Sequence, residues 1–251
     1  MIVSRRELIG LGAAGAGGLL LGGCDRLNDS AAFRGVLGGA TGLNMRTHRL
    51  LMGDSLAREF TEADLSPVFK ANGSLSVADP AYRGHLAQGF GGWALQVGGL
   101  VRRPLALPLS ALKSWPQRTQ ITRHDCVEGW SAIGKWQGPQ LGRVLEAAGL
   151  LPNANYVVFH CADVLEGAPY YESIDLVDAF HPQTILAWRM NDAPLSEAHG
   201  APIRLRVERQ LGYKQAKYVM RIELRESLAG LYGGGGGHWE DSRGYQWYAG
   251  I

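Results

Sequence analysis

The sequence predicts an α+β fold, mixed and mostly β, and three observations predict it. Apolar residues alternate with polar or charged ones at residues 93–97, 203–207 and 218–224, the period-two pattern of half-buried strands. A helical period is plain at Leu141, Val144, Leu145 and Ala148. With 251 residues, 46% of them hydrophobic, the chain can bury a core without disulfide staples, as one large domain or two small ones.

Residues 1–24 read as a targeting segment and are set aside from the fold. Ser4-Arg5-Arg6-Glu7-Leu8-Ile9 matches the twin-arginine export pattern. The apolar stretch that follows is diluted by Gly and Ala and is shorter than the ~20 strongly apolar residues a membrane span needs. Leu21-Gly22-Gly23-Cys24 resembles a lipobox, so Cys24 is either a lipidated mature N-terminus or is removed by plain cleavage. Both outcomes imply a periplasmic protein. Residues 25–80 are polar, contain Gly and are broken by Pro67 and Pro80; they read as an extended N-terminal arm with a short helical or turn segment at residues 44–49.

The domain, residues 81–251, opens on the strand at 93–97. The helix at Leu141 ends at the stop signals Gly149 and Pro152. Residues 156–161 are β-rich, and a short helix at 176–180 stops before His181-Pro182. Strands at 203–207 and 218–224 follow, and after Gly233 to Gly237 an aromatic end, from His238-Trp239 to Trp247-Tyr248, either docks on the domain or meets a partner. No internal repeat appears. A formal net charge of +2 and a charged fraction of 19% argue against nucleic-acid binding.

Two stretches carry candidate chemistry. In residues 122–136, Cys126 has His124, Asp125 and Glu128 as neighbours, groups that tune a thiol and move protons; a buried structural cysteine fits the same spacing. A disulfide to Cys161 is a further alternative. On a strand at 203–207, Arg204 and Arg206 share one face, and Lys214 and Lys217 follow a Gly-containing turn. Convergent cations suit a phosphate, though spacing alone also fits a solvated charged face.

Cys126-Val127-Glu128-Gly129-Trp130-Ser131, followed by Trp136-Gln137-Gly138, resembles the molybdenum-ligating segment of the sulfite oxidase superfamily, nearest to its bacterial periplasmic methionine-sulfoxide-reducing branch. The resemblance implies a sulfite-oxidase-type molybdopterin-binding fold with a single catalytic domain, in which the Cys126 thiolate ligates a molybdenum held by one pyranopterin. A soft thiolate suits such a redox-active metal. Residues 66–73 resemble the Phe-x-Arg-Asn-His stretch of sulfite oxidases; Phe69 and Asn72 match, while Ala71 and Gly73 replace the arginine and histidine. His199 to Arg204 and Gly212 to Lys217 resemble Asn-Gly-Ala-Pro-x-Arg and Gly-Phe-Lys-x-x-Lys, which implies that His199, Arg204, Gln215, Ala216 and Lys217 hold the cofactor. Cys161 stands where the branch has a cofactor-touching threonine, with simple packing as the alternative. Tyr170 stands at the active-site tyrosine, so Glu128 and Tyr170 are the expected proton or hydrogen-bond donors.

The resemblance further implies an oxidoreductase that moves an oxygen atom to or from a small substrate and exchanges electrons with a membrane b-type cytochrome or quinone-linked partner. A monomer is expected, because larger members continue into a dimerisation domain. Sulfite is a dianion that needs cations to offset its desolvation, and here Ala71 replaces one such arginine while Glu128 adds negative charge. Reduction of an S- or N-oxide is therefore expected over sulfite oxidation. The alternative class is a non-catalytic lipoprotein that keeps the fold as a binding or assembly module.

Overall fold

The computed structural model describes residues 30–251, and the export and lipidation signals lie outside the described residues. It divides into two units, the first ending at Gly53 and the second running Asp54–Ile251. In the first, Ala31–Met52 is one α-helix of 22 residues, α1. The Ser30 side chain caps it by accepting from the Phe33 amide, and Gly53 at φ 47° ends it. This corrects the extended arm expected across these residues. The run contains no proline, and glycines such as Gly35, Gly39 and Gly42 cost a helix only about 1 kcal/mol each. Among the described residues, no helix is long and apolar enough to cross a membrane.

In the second unit the extended reading holds for the strap at residues 54–79. Phe60 donates to the Ile121 carbonyl at 2.8 Å and Ser66 to the Ile133 carbonyl at 3.1 Å. The Gln183 side chain brackets Ala57 from both its amide and its carbonyl side. Next come α2 (Pro80–Ala87), β1 (Ala94–Gly99), β2 (Leu105–Pro108) and α3 (Leu109–Ser114). A long hairpin follows, β3 (Gln117–Asp125) and β4 (Ser131–Pro139), then α4 (Leu141–Ala148), β5 (Tyr156–Leu165), β6 (Ala168–Asp175) and α5 (Leu176–Ala179). The chain continues through β7 (Ile185–Ala187), β8 (Arg189–Met190), β9 (Ala193–Pro194), β10 (Arg204–Arg206) and β11 (Val219–Arg225), and ends on α6 (His238–Arg243).

These strands form a five-stranded sheet of order β2-β1-β11-β5-β6, a four-stranded sheet β3-β4-β8-β9 and the pair β10-β7. Alternation builds the core. Leu95 and Val97 of β1, Val157 and Phe159 of β5, and Ile222 and Leu224 of β11 are all buried, and α4 adds Leu141, Val144, Leu145 and Ala148. Strand β3 escapes a hydrophobic reading because its inward residues, Gln120, Thr122 and His124, are polar yet buried.

Candidate cofactor-binding site

Cys126 sits at the tip of the β3–β4 hairpin. Its amide donates to the Trp130 carbonyl at 2.9 Å, and Gly129 donates back to the Cys126 carbonyl at 3.1 Å. Gly129 closes this turn at φ 84°, the left-handed region a glycine enters without strain. The strap crosses the tip, and Asn72 Nδ2 lies 3.5 Å from Cys126 Sγ. Burial, then the Glu128 charge, raises the Cys126 thiol above its ordinary pKa, so the free site holds a thiol whose proton a metal must displace.

A partly open cleft with a cavity volume of about 140 Å³ lies beside the thiol. Of the residues expected at the site, Asn72, Cys126, Glu128, Tyr170, Arg204, Gln215 and Lys217 line it. The cleft wall explains why the two arginines of β10 differ. Arg206 is fully buried but forked onto Glu208, with Nε donating to Oε1 at 2.9 Å and Nη2 to Oε2 at 2.5 Å. Arg204 meets only carbonyls, donating from Nη1 to His199 O at 3.2 Å and from Nη2 to Gln215 O at 3.3 Å, and its Nε has no partner. Burial and the neighbouring Arg206 pull the Arg204 pKa down to about 9. A buried guanidinium without a carboxylate is what an anionic ligand would neutralise. Both arginines stack on the ring of buried Trp136, with guanidinium carbons 5.1 and 4.2 Å from its centroid.

Other expected residues take different posts. Phe69 packs edge-on against Trp136 at 5.2 Å, and its carbonyl lies 3.1 Å from His199 Nε2. His199 Nδ1 lies 2.8 Å from Ser196 Oγ, so both its ring nitrogens are engaged behind the cleft; burial keeps it neutral, with the proton on Nε2. Ala216 accepts from the Leu205 amide at 2.8 Å and fastens the 215–217 segment to β10. Cys161 lies on β5 opposite Val219, and both it and Cys126 are free thiols, so the disulfide alternative is absent. Lys214 turns away from the cleft into a fully buried ion cluster with Glu172 and Glu240, at 2.5 Å from the latter.

The expected proton donors are both occupied. Glu128 accepts from Trp130 Nε1 at 2.9 Å and pairs with Lys70 at 3.4 Å, and these contacts hold its carboxyl below the ordinary range. It is an ionised acceptor at neutral pH. Tyr170 donates its hydroxyl to the Tyr213 carbonyl at 2.8 Å, and burial pushes its pKa well up.

Sequence reasoning named His124 beside Cys126 but missed several residues that line the cleft. His124 is buried and kept neutral by burial, then by Arg206 and Arg204, with Arg206 Nη1 3.0 Å from its Nδ1. Gly212 leaves room for it, since a Cβ there would meet His124 Nε2 at 2.5 Å. Asp163, Trp239 and Tyr245 also line the cleft. The aromatic composition of the C-terminus was the one available signal for the last two.

Fold and cleft together define a cofactor-binding oxidoreductase domain. The chain belongs to the oxidoreductase molybdopterin-binding domain family, matched over residues 85–230. Over 156 residues it is 43% identical to the provisionally named protein-methionine-sulfoxide reductase subunit YedZ1 of Azospira oryzae, covering 62% of this chain and 55% of that protein. It is 35% identical over 147 residues to the protein-methionine-sulfoxide reductase catalytic subunit MsrP of Xanthomonas axonopodis pv. citri, covering 54% and 46%. The chain thus spans about half the length of the curated relatives it matches. Its fold is similar to the sulfane dehydrogenase SoxCD of Paracoccus pantotrophus, with a TM-score of 0.50 and 22% identity over 55% of this chain and 39% of that one. The residues present fit a molybdenum–pterin cofactor: a soft thiol at the cleft edge, a carboxylate-free buried guanidinium, and an unpartnered buried atom at Arg204 Nε.

Proposed function

We propose that this chain is the cofactor-bearing catalytic domain of a molybdenum-dependent reductase of neutral S-oxides. The observation that carries the reading is the pairing, in one cleft, of the Cys126 thiol with the uncompensated Arg204 guanidinium. Cys126 would give its thiolate to the metal, while Arg204 and Gln215 would take the anionic part of the pterin. When bound, the cofactor supplies two-electron exchange of an oxygen atom. The chain's own residues set what enters. Ionised Glu128 on the cleft wall disfavours a dianion, and Lys70 compensates weakly because that pair is exposed. Asn72 keeps an amide against the Cys126 sulfur, and neutral His124 stands behind the hairpin as an acceptor for Arg206.

Reduction of a sulfoxide consumes two electrons and two protons and releases a thioether and water. Tyr170 stays protonated by burial, and Glu128 can carry a proton inward only as a base that is transiently protonated. Electrons would come from a membrane b-type cytochrome or quinone-linked partner, as the family resemblance implies, and the periplasmic location rests on the twin-arginine pattern at Ser4 to Ile9. The naming of the relatives as methionine-sulfoxide reductases supports the substrate class. Steady-state assays on molybdenum-loaded protein test it: reduction of methionine sulfoxide with an artificial donor should exceed oxidation of sulfite with an artificial acceptor. Efficient sulfite oxidation without sulfoxide reduction would overturn it.

A further inference from the structure

The family match ends at residue 230, yet the segment beyond it supplies part of the cleft. Trp239 and Tyr245 both line it, stacked on one another with centroids 5.8 Å apart and planes at 24°. Tyr213, also on the wall, meets Tyr245 edge-on at 5.1 Å. The segment is firmly held. Lys214 grips Glu240 from inside, the Gly233 and Gly235 amides donate to Asp241 at 2.9 and 2.6 Å, and His238 stacks on Tyr170 at 5.3 Å.

Tyr245 is 37% exposed, and Val127, next to Cys126 and on the same cleft, is 45% exposed. Single exposed apolar residues need no explanation, but aromatic and aliphatic faces from two distant segments converging beside a candidate metal ligand do. Ring faces and edges attract apolar groups and polarizable sulfur.

We propose that Trp239, backed by Tyr245, is a specificity-determining wall that binds the apolar body of the substrate next to its S-oxide. This rests on the reductase reading for the chemistry but not for the binding. The wall selects S-oxides carrying an aryl or long alkyl substituent over those carrying only methyl groups.

The test is calorimetric binding of two sulfones, analogues already at full oxidation, to cofactor-loaded protein. Wild type should bind methyl phenyl sulfone more tightly than dimethyl sulfone. In Trp239→Ala that preference should fall about fivefold to tenfold, the scale of one lost ring contact, and in Trp239→Phe it should largely return. Tyr245→Leu, at a more exposed position, gives the same readout should Trp239→Ala not fold. Equal affinity for the two sulfones in wild type, or a preference unchanged in these variants, would overturn the wall. Sulfoxide turnover is read in parallel: a protein that selects the aryl sulfone through Trp239 but reduces no sulfoxide refutes the reductase reading and leaves the wall standing.

Discussion

Lys217 Nζ donates to the backbone carbonyl of Asn72 at 2.7 Å, and the Asn72 side chain in turn reaches the Cys126 sulfur at 3.5 Å. The same ammonium also donates to the carbonyls of Ser74 and Ala198, so all three of its donors are engaged. Burial and Arg204 pull its pKa down to about 7. When protonated, Lys217 acts on the cleft as a charge and as a clamp on the 72–74 loop, with its three donors already committed to carbonyls rather than to a ligand. Lys217→Met should lower stability by about 2–3 kcal/mol, since it strands the Asn72 and Ala198 carbonyls while Tyr218 still donates to that of Ser74, and should also weaken cofactor retention. Urea unfolding and pterin content check this; a stable variant with normal pterin would contradict the clamp.

Arg204 and Arg206 lie two residues apart on β10, and opposite outcomes are expected on their removal. Arg204→Ala should fold and lose bound pterin, because its guanidinium answers to no carboxylate in the protein. Arg206→Ala strands buried Glu208 and should cost about 3–5 kcal/mol. Fluorescence of extracted pterin and thermal unfolding separate the two. An Arg204→Ala protein that keeps its pterin but loses turnover would move Arg204 to the substrate.

The buried cluster of Lys214 with Glu172 and Glu240 ties α6 to β6. One cation serves two carboxylates, and burial first, then Glu240, raises the Glu172 pKa well above 4.5. A raised carboxyl keeps in the folded state a proton that the unfolded chain releases, so its contribution falls as pH rises above the unfolded pKa. Lys214→Met should destabilise by about 3–5 kcal/mol near neutral pH. The deficit should be smaller at about pH 5 than at about pH 8, because protonated carboxyls need no partner. Unfolding curves at the two pH values measure it, and a deficit independent of pH would contradict the charge account.

Much of this was legible in the sequence where one face of an element was apolar: the strands of the five-stranded sheet, α4, and the pairing of Arg204 with Arg206 on one face. What was hidden depends on partners distant in the chain. Strand β3 buries Gln120, Thr122 and His124, whose burial is made tolerable by contacts such as Gln120 to Glu208 at 2.8 Å. Lys214 looked like a phosphate cation because Glu172 and Glu240 stand 42 and 26 positions away. The helix α1 was masked by its glycines, which weaken a helix without breaking it. Of the candidate site, the resemblance supplied the residues and the fold supplied their division into those that face the cleft, such as Cys126 and Arg204, and those that brace it, such as His199 and Phe69.

The most direct measurement is X-ray absorption at the molybdenum edge on loaded wild type and Cys126→Ser, with pterin content determined on the same samples. A serine hydroxyl is a harder and far less acidic donor than a thiol. The account predicts that Cys126→Ser keeps pterin through Arg204 but loses a sulfur neighbour at the metal, along with sulfoxide turnover. An unchanged sulfur shell in the variant, with full molybdenum occupancy, would contradict it.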